Sequence, residues 1–149
     1  MDNLYGRLYL LLFLCVFFSV SATAQQSITT PGTSITQNFN TLPASGSAVF
    51  AQNTLIVGVH AERNGTGVSI VANDGSSNAG NIYSYGTGTN ADRALGAVSD
   101  GEVSSNVAYG IRLKNNTGAT ITSLQVRYVG EQWRNSGAAA QSITFAYLV

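Results

Sequence analysis

Apolar and polar residues alternate with a period of two along much of the chain beyond residue 25. The cleanest run sets Val107, Tyr109, Ile111 and Leu113 against Ala108, Gly110, Arg112 and Lys114. Such alternation marks a strand with one face buried. Asn115-Asn116-Thr117-Gly118 follows, a sequence able to take left-handed backbone angles, and then Leu124, Val126 and Tyr128 alternate with Gln125, Arg127 and Val129. The pair reads as a β-hairpin. Ile143, Phe145, Tyr147 and Val149, against Ser142, Thr144, Ala146 and Leu148, predict a further strand. Leu55, Val57, Val59 and Ala61 alternate with Ile56, Gly58, His60 and Glu62, so both faces are partly apolar, as in a central strand. Shorter strands are expected at 35–39, 68–72, 81–85 and 94–98, separated by turns such as Asn73-Asp74-Gly75-Ser76-Ser77 and Gly86-Thr87-Gly88-Thr89-Asn90.

No helical period interrupts this pattern after residue 25. The expectation is an all-β fold, an antiparallel β-sandwich of jelly-roll type, formed as one domain over residues 25–149. The strand pattern runs to Val149 without a turn or polar tail. A ladder stopping there leaves an edge or a missing partner, so a fold truncated on its C-terminal side is expected.

The first residues obey a different rule. Arg7 precedes an unbroken apolar run from Leu8 to Phe18, after which small residues lead to Ala22-Thr23-Ala24. This is the layout of a signal peptide, residues 1–24, cleaved after Ala24. The apolar run is shorter than the roughly 20 residues of a spanning helix, and no basic cluster follows it. A secreted, extracellular or cell-surface protein is expected, with no membrane insertion after cleavage.

Composition narrows the partners. Basic and acidic residues balance at seven each, and charged residues make up only 9% of the chain. Without a basic excess there is no electrostatic footprint for phosphate backbones, so nucleic acid is not an expected partner. Cys15, the only cysteine, lies inside the apolar leader. The mature domain therefore relies on its core, without disulfide bonds, and the usual His/Cys metal sites are excluded.

Several blocks together resemble a known family. They are Phe39-Asn40-Thr41-Leu42 with Ser45-Gly46; Gly80-Asn81-Ile82-Tyr83-Ser84-Tyr85-Gly86; Asp92-Arg93-Ala94-Leu95-Gly96; Tyr109-Gly110-Ile111-Arg112-Leu113 with Asn116-Thr117-Gly118; and Tyr128-Val129-Gly130-Glu131-Gln132-Trp133-Arg134. Their order and spacing, over residues 35–149, are similar to those of a family of bacterial extracellular β-sandwich modules. The resemblance implies a module standing just after a signal peptide, ahead of further secreted domains or surface-sorting segments. It implies no agreed activity. Members usually carry a tryptophan-containing stretch where this chain has 56–61, and they continue beyond the position of Val149.

Two readings compete for the polar residues in these blocks. In the first, Asp92, Arg93, Glu131 and Arg134 form a structural ion-pair network, with planar guanidinium groups fixing strand register. In the second, Trp133, Glu131, Gln132 and Arg134, joined by Tyr83 and Tyr85, form a glycan-binding patch, aromatic faces lying under the apolar side of a sugar. If Tyr128 faces the core, strand parity points Trp133 away from it unless Gly130 marks a bulge.

The remaining features carry less. His60, the only histidine, has no serine or cysteine nucleophile motif beside it and reads as a hydrogen-bonded structural residue. Asp74, Ser76, Asn78 and Asn81 supply oxygens for calcium but match no dedicated loop, so a turn is the better reading. Glu62, Asp92, Glu102 and Glu131 are the carboxylates from which a glycosidase pair would have to come. Neighbouring arginines favour their ionised form, and a catalytic function is not expected. Gly86-Thr87-Gly88 lacks the helix start that phosphate loops use. Asn64-Gly65-Thr66 and Asn115-Asn116-Thr117 are formal glycosylation sequons, idle in a bacterial protein. No cofactor and no metal are expected. Two function classes remain: a non-catalytic structural or adhesive module, and a carbohydrate-binding module whose partners are glycans or other cell-surface components.

Overall fold

The computed structural model describes residues 25–50, 53–64, 68–100, 106–135, 137 and 142–149. The leader assigned to residues 1–24 and the carboxylate of Glu102 lie outside the described residues. The described chain is all-β and contains no helix. Its strands are β1 (Gln26–Ile28), β2 (Ser47–Phe50), β3 (Val59–Arg63), β4 (Val68–Asn73), β5 (Asn81–Tyr85), β6 (Ala94–Val98), β7 (Val107–Ile111) and β8 (Leu113–Asn115).

The largest sheet has the order β2-β4-β5-β6. Cross-strand register aligns Ala48 with Ile70, Ile70 with Ile82, and Ile82 with Ala97, so these residues share one face. That face forms the core. Ile70 and Ile82 are fully buried, and they cluster with Leu42, Phe50, Ile56 and the β3 residues Val59 and Ala61. The β-branched residues of β4 and β5 suit a half-buried pleated surface, so propensity and burial agree here.

Not every pairing is antiparallel. β4 and β5 run parallel, as do β1 and β8, while the other pairs are antiparallel. Parallel neighbours need the chain to travel back along the sheet, and here the short segment 74–80 does so. It crosses the face opposite the core, where the Tyr83 hydroxyl donates to the Ala79 carbonyl at 2.8 Å and meets Ser77 Oγ at 3.0 Å.

β3 pairs with β7, and β1 with β8. Arg112 joins the two pairs: its amide donates to the Gly58 carbonyl and its carbonyl accepts from the Gln26 amide, both at 2.8 Å. β3 and β1 thus follow one another along one edge of the 107–115 strand.

The expected hairpin does not form. The turn is present, with Asn115 Oδ1 accepting from the Thr117 amide and hydroxyl. However, residues 116–135 carry no strand and β8 pairs with β1 instead. The expected strand at 142–149 is likewise absent. Alternation specifies which residues share a side, but not which edge accepts them. The expected strand at 35–39 is irregular chain that leads into a turn: Phe39 has φ 60°, and its carbonyl accepts from the Leu42 amide at 2.9 Å, which turns Leu42 into the core. β1 and β2 lie outside the expected strands: β1 has one apolar residue in three, and β2, although Ala48, Val49 and Phe50 are apolar, is only four residues long, too short for alternation to mark it.

Candidate functional site

Tyr83 and Tyr85 alternate with Ile82 and Ser84 along β5, so the tyrosines occupy the face opposite the core. They are not a surface platform. Both are buried, their ring centroids 5.5 Å apart at 46°. The crossover 74–80 covers Tyr83, and the segment 131–134 covers Tyr85. Trp133 lies nearly parallel to the Tyr85 ring, at 5.9 Å and 11°, and is itself half-buried. Gly96 in β6 makes room beneath: a methyl group there would approach Tyr85 Cε2 to 2.8 Å.

The polar groups around this stack bond one another and the neighbouring turn. Trp133 Nε1 donates to Glu131 Oε2 at 2.8 Å, and Gln132 Nε2 donates to the Arg134 carbonyl at 3.1 Å. Arg134 reaches the turn after β4, donating to the carbonyls of Ser76 at 2.9 Å and Gly75 at 3.3 Å. Glu131 and Gln132 remain exposed. The 131–134 segment is thereby strapped to the 74–76 turn by side-chain bonds rather than by a ladder.

Arg93 belongs to a separate cluster at the start of β6. It is 3% exposed. Its Nε donates to Ser84 Oγ at 2.9 Å, Nη2 to the Ser84 carbonyl, and Nη1 to the Gly88 carbonyl at 3.4 Å, while its amide donates to Asn40 Oδ1 at 3.3 Å. These acceptors are neutral, and desolvation lowers the guanidinium pKa from its ordinary value. Asp92 is exposed. The structure therefore brings Trp133, Glu131, Gln132 and Arg134 together with Tyr85 and, through it, Tyr83. It sets Arg93 apart, and the two arginines bond carbonyl and hydroxyl oxygens where the sequence pointed to Asp92 and Glu131.

Other candidates have local roles. Asp74 Oδ1 accepts from the Ser76 amide at 3.0 Å, and the hydroxyl and amide of Ser76 hold its carboxyl below the usual range. His60 is half-buried opposite Gly110 and is engaged by a neighbour. No group of three or more His, Cys, Asp or Glu able to hold a metal occurs among the described residues. No helix among them is long and apolar enough to cross a membrane.

An open groove of about 550 Å³ lies beside the crossover, with Asn73, Asp74, Ser76, Ser77, Asn81 and Thr89 among its walls. No sequence motif marks it, because its walls come from three loops together with parts of β4 and β5. Comparison with family models, curated proteins and solved structures returns no match.

Burial pushes the Tyr85 phenol up to about 12, Tyr83 adding to the effect and Arg134 opposing it. A pKa raised above the ordinary value near 10 means that the folded state favours the neutral phenol. The corresponding stability is complete below about pH 10 and is lost as pH climbs towards about 12. Alkaline unfolding followed by circular dichroism should accordingly begin at higher pH in Tyr85→Phe. Identical profiles for both proteins would show that Tyr85 is not the group responsible.

Gly75 has φ +94°, and a Cβ there would overlap the Trp133 carbonyl oxygen. Gly75→Ala is expected to lift the strap, costing about 1–3 kcal/mol and shifting the emission of the sole tryptophan to the red. Unchanged emission would mean that the 131–134 segment does not depend on this approach.

Proposed function

We propose that this chain is a non-catalytic extracellular β-sandwich module with a structural or adhesive role. One observation carries this reading: the aromatic residues suited to sugar recognition are spent on the protein's own packing. Tyr83 and Tyr85 are buried, and Trp133 lays one ring face on Tyr85. Its indole N–H is occupied by Glu131. The leader-like residues 1–24, the neutral charge balance and the resemblance to bacterial extracellular modules support the setting outside the cytoplasm. The shared core of β3 with the four-stranded sheet supports the sandwich.

The carbohydrate-binding reading retains one supporting observation. Exposed Glu131 and Gln132 flank a half-buried Trp133, on the same strap that meets the 74–76 turn at the groove. A glycan array probed with the wild type and Trp133→Ala separates the two. Absent binding for both is the outcome expected of a structural module. Binding by the wild type that disappears in Trp133→Ala would replace that reading with the second one. Export is tested separately, by N-terminal sequencing of the secreted protein, which should begin at Gln25.

A further inference from the structure

The segments that follow the core leave their apolar side chains outside. Tyr128 is 76% exposed, Phe145 59% and Tyr147 83%, and Leu124, Val126 and Ile143 are each more than half exposed. The stacked rings of Tyr128 and Phe145, 6.4 Å apart at 15°, place the two segments side by side. Neither carries a backbone ladder, although both alternate like strands. At about 200 Å² for an aromatic side chain, the three rings expose on the order of 400 Å². The three aliphatic residues add roughly 100 Å² each. The resulting patch of ~700 Å² exceeds what a monomer ordinarily shows and approaches the ~800 Å² that each partner contributes to a stable interface.

From these observations we infer that residues 142–149 and the adjoining 124–128 form a self-association surface whose occupant is a second copy of this chain. The area is that of a dimer interface, and the composition suits self-pairing. Residues 142–149 contain no charged residue, no glycine and no proline. Antiparallel pairing of two such segments about a two-fold axis therefore puts no like charges of the segment opposite one another, and it satisfies the backbone groups along the two paired edges. Of the exposed cations, Arg112 and Lys114 lie outside both segments, and Arg127 alternates with the apolar Val126 and Tyr128. Association is apolar, so added sulfate strengthens it, whereas an acidic partner held by those cations would be released. The inference does not depend on where the chain works.

Sedimentation equilibrium of the full chain over a concentration series tests it. The wild type is expected to be a dimer that dissociates in the micromolar range. Phe145→Lys and Tyr147→Lys place like charges across the two-fold and should weaken it by roughly tenfold or more, with unchanged circular dichroism because both positions are exposed. Val49→Lys, exposed on β2 and outside the patch, should remain dimeric. A wild type that stays monomeric throughout would overturn the inference, as would a Val49→Lys variant as disrupted as Phe145→Lys. Monomers that float with neutral lipid vesicles, or open-ended assemblies in place of a dimer, would overturn it equally.

Discussion

Phe50→Ala is expected to lose about 3–5 kcal/mol of stability, the largest effect of any single truncation in the core. Phe50 is 1% exposed at the end of β2 and belongs to the cluster of Leu42, Ile56, Val59, Ile70 and Ile82. Its loss removes the transfer energy of a whole ring and leaves a cavity that its neighbours fill only in part, because β-sheet backbones hold them in place. A domain with roughly 5–15 kcal/mol in hand would be brought close to its unfolding threshold. The denaturant midpoint should fall while the slope stays constant. Val49→Ala, one residue earlier on the exposed side of the same strand, supplies the comparison and should change stability by no more than about 0.5 kcal/mol. Equal losses at the two positions would contradict the assignment of the core face.

The second large effect is expected at Arg93. Truncation to alanine removes the donors that satisfy Ser84 Oγ, the Ser84 carbonyl and the Gly88 carbonyl. Ser84 has no exposed surface, so its acceptors lose their partner without gaining water. At about 1–3 kcal/mol for each unsatisfied buried group, Arg93→Ala should cost ~3 kcal/mol or more. Arg93→Lys keeps the charge but not the planar fork that reaches the hydroxyl and the carbonyls together, and should recover little of that loss. Asp92→Asn and Glu131→Gln discriminate between neutral and ionic bonding. With the arginines held by carbonyl and hydroxyl oxygens, both substitutions should stay within about 0.5–1 kcal/mol of wild type. A loss at Asp92→Asn as large as that at Arg93→Ala would restore the ion-pair reading.

The sequence was most legible where a strand's own residues decide its burial. Asn81–Tyr85 and Ala94–Val98 were anticipated with their boundaries, and 68–72 to within one residue. Their alternation coincides with the register that makes one face the core. The candidate residues were legible as neighbours but not in their arrangement. Trp133, Glu131, Gln132 and Arg134 do share a cluster with Tyr83 and Tyr85. What remained hidden was that the cluster closes on itself, because the cover over Tyr83 comes from the way the adjacent crossover 74–80 folds back, and the cover over Tyr85 from a segment distant in sequence, 131–134. The Arg93 acceptors were equally hidden. A carbonyl belongs to every residue, so no residue type marks the one that a guanidinium will meet.

Residue order alone determined that the body of the chain is built from strands, because period-two alternation and frequent turn residues are local properties carried by each segment. It also determined which side chains travel together on a face. Only the tertiary structure decided which strands become neighbours, why β8 turns to β1 rather than to the segment after its turn, and why β4 and β5 run parallel. Those choices compare the free energies of alternative edges, each offering the same backbone donors and acceptors, and the comparison is made by packing across the whole sheet.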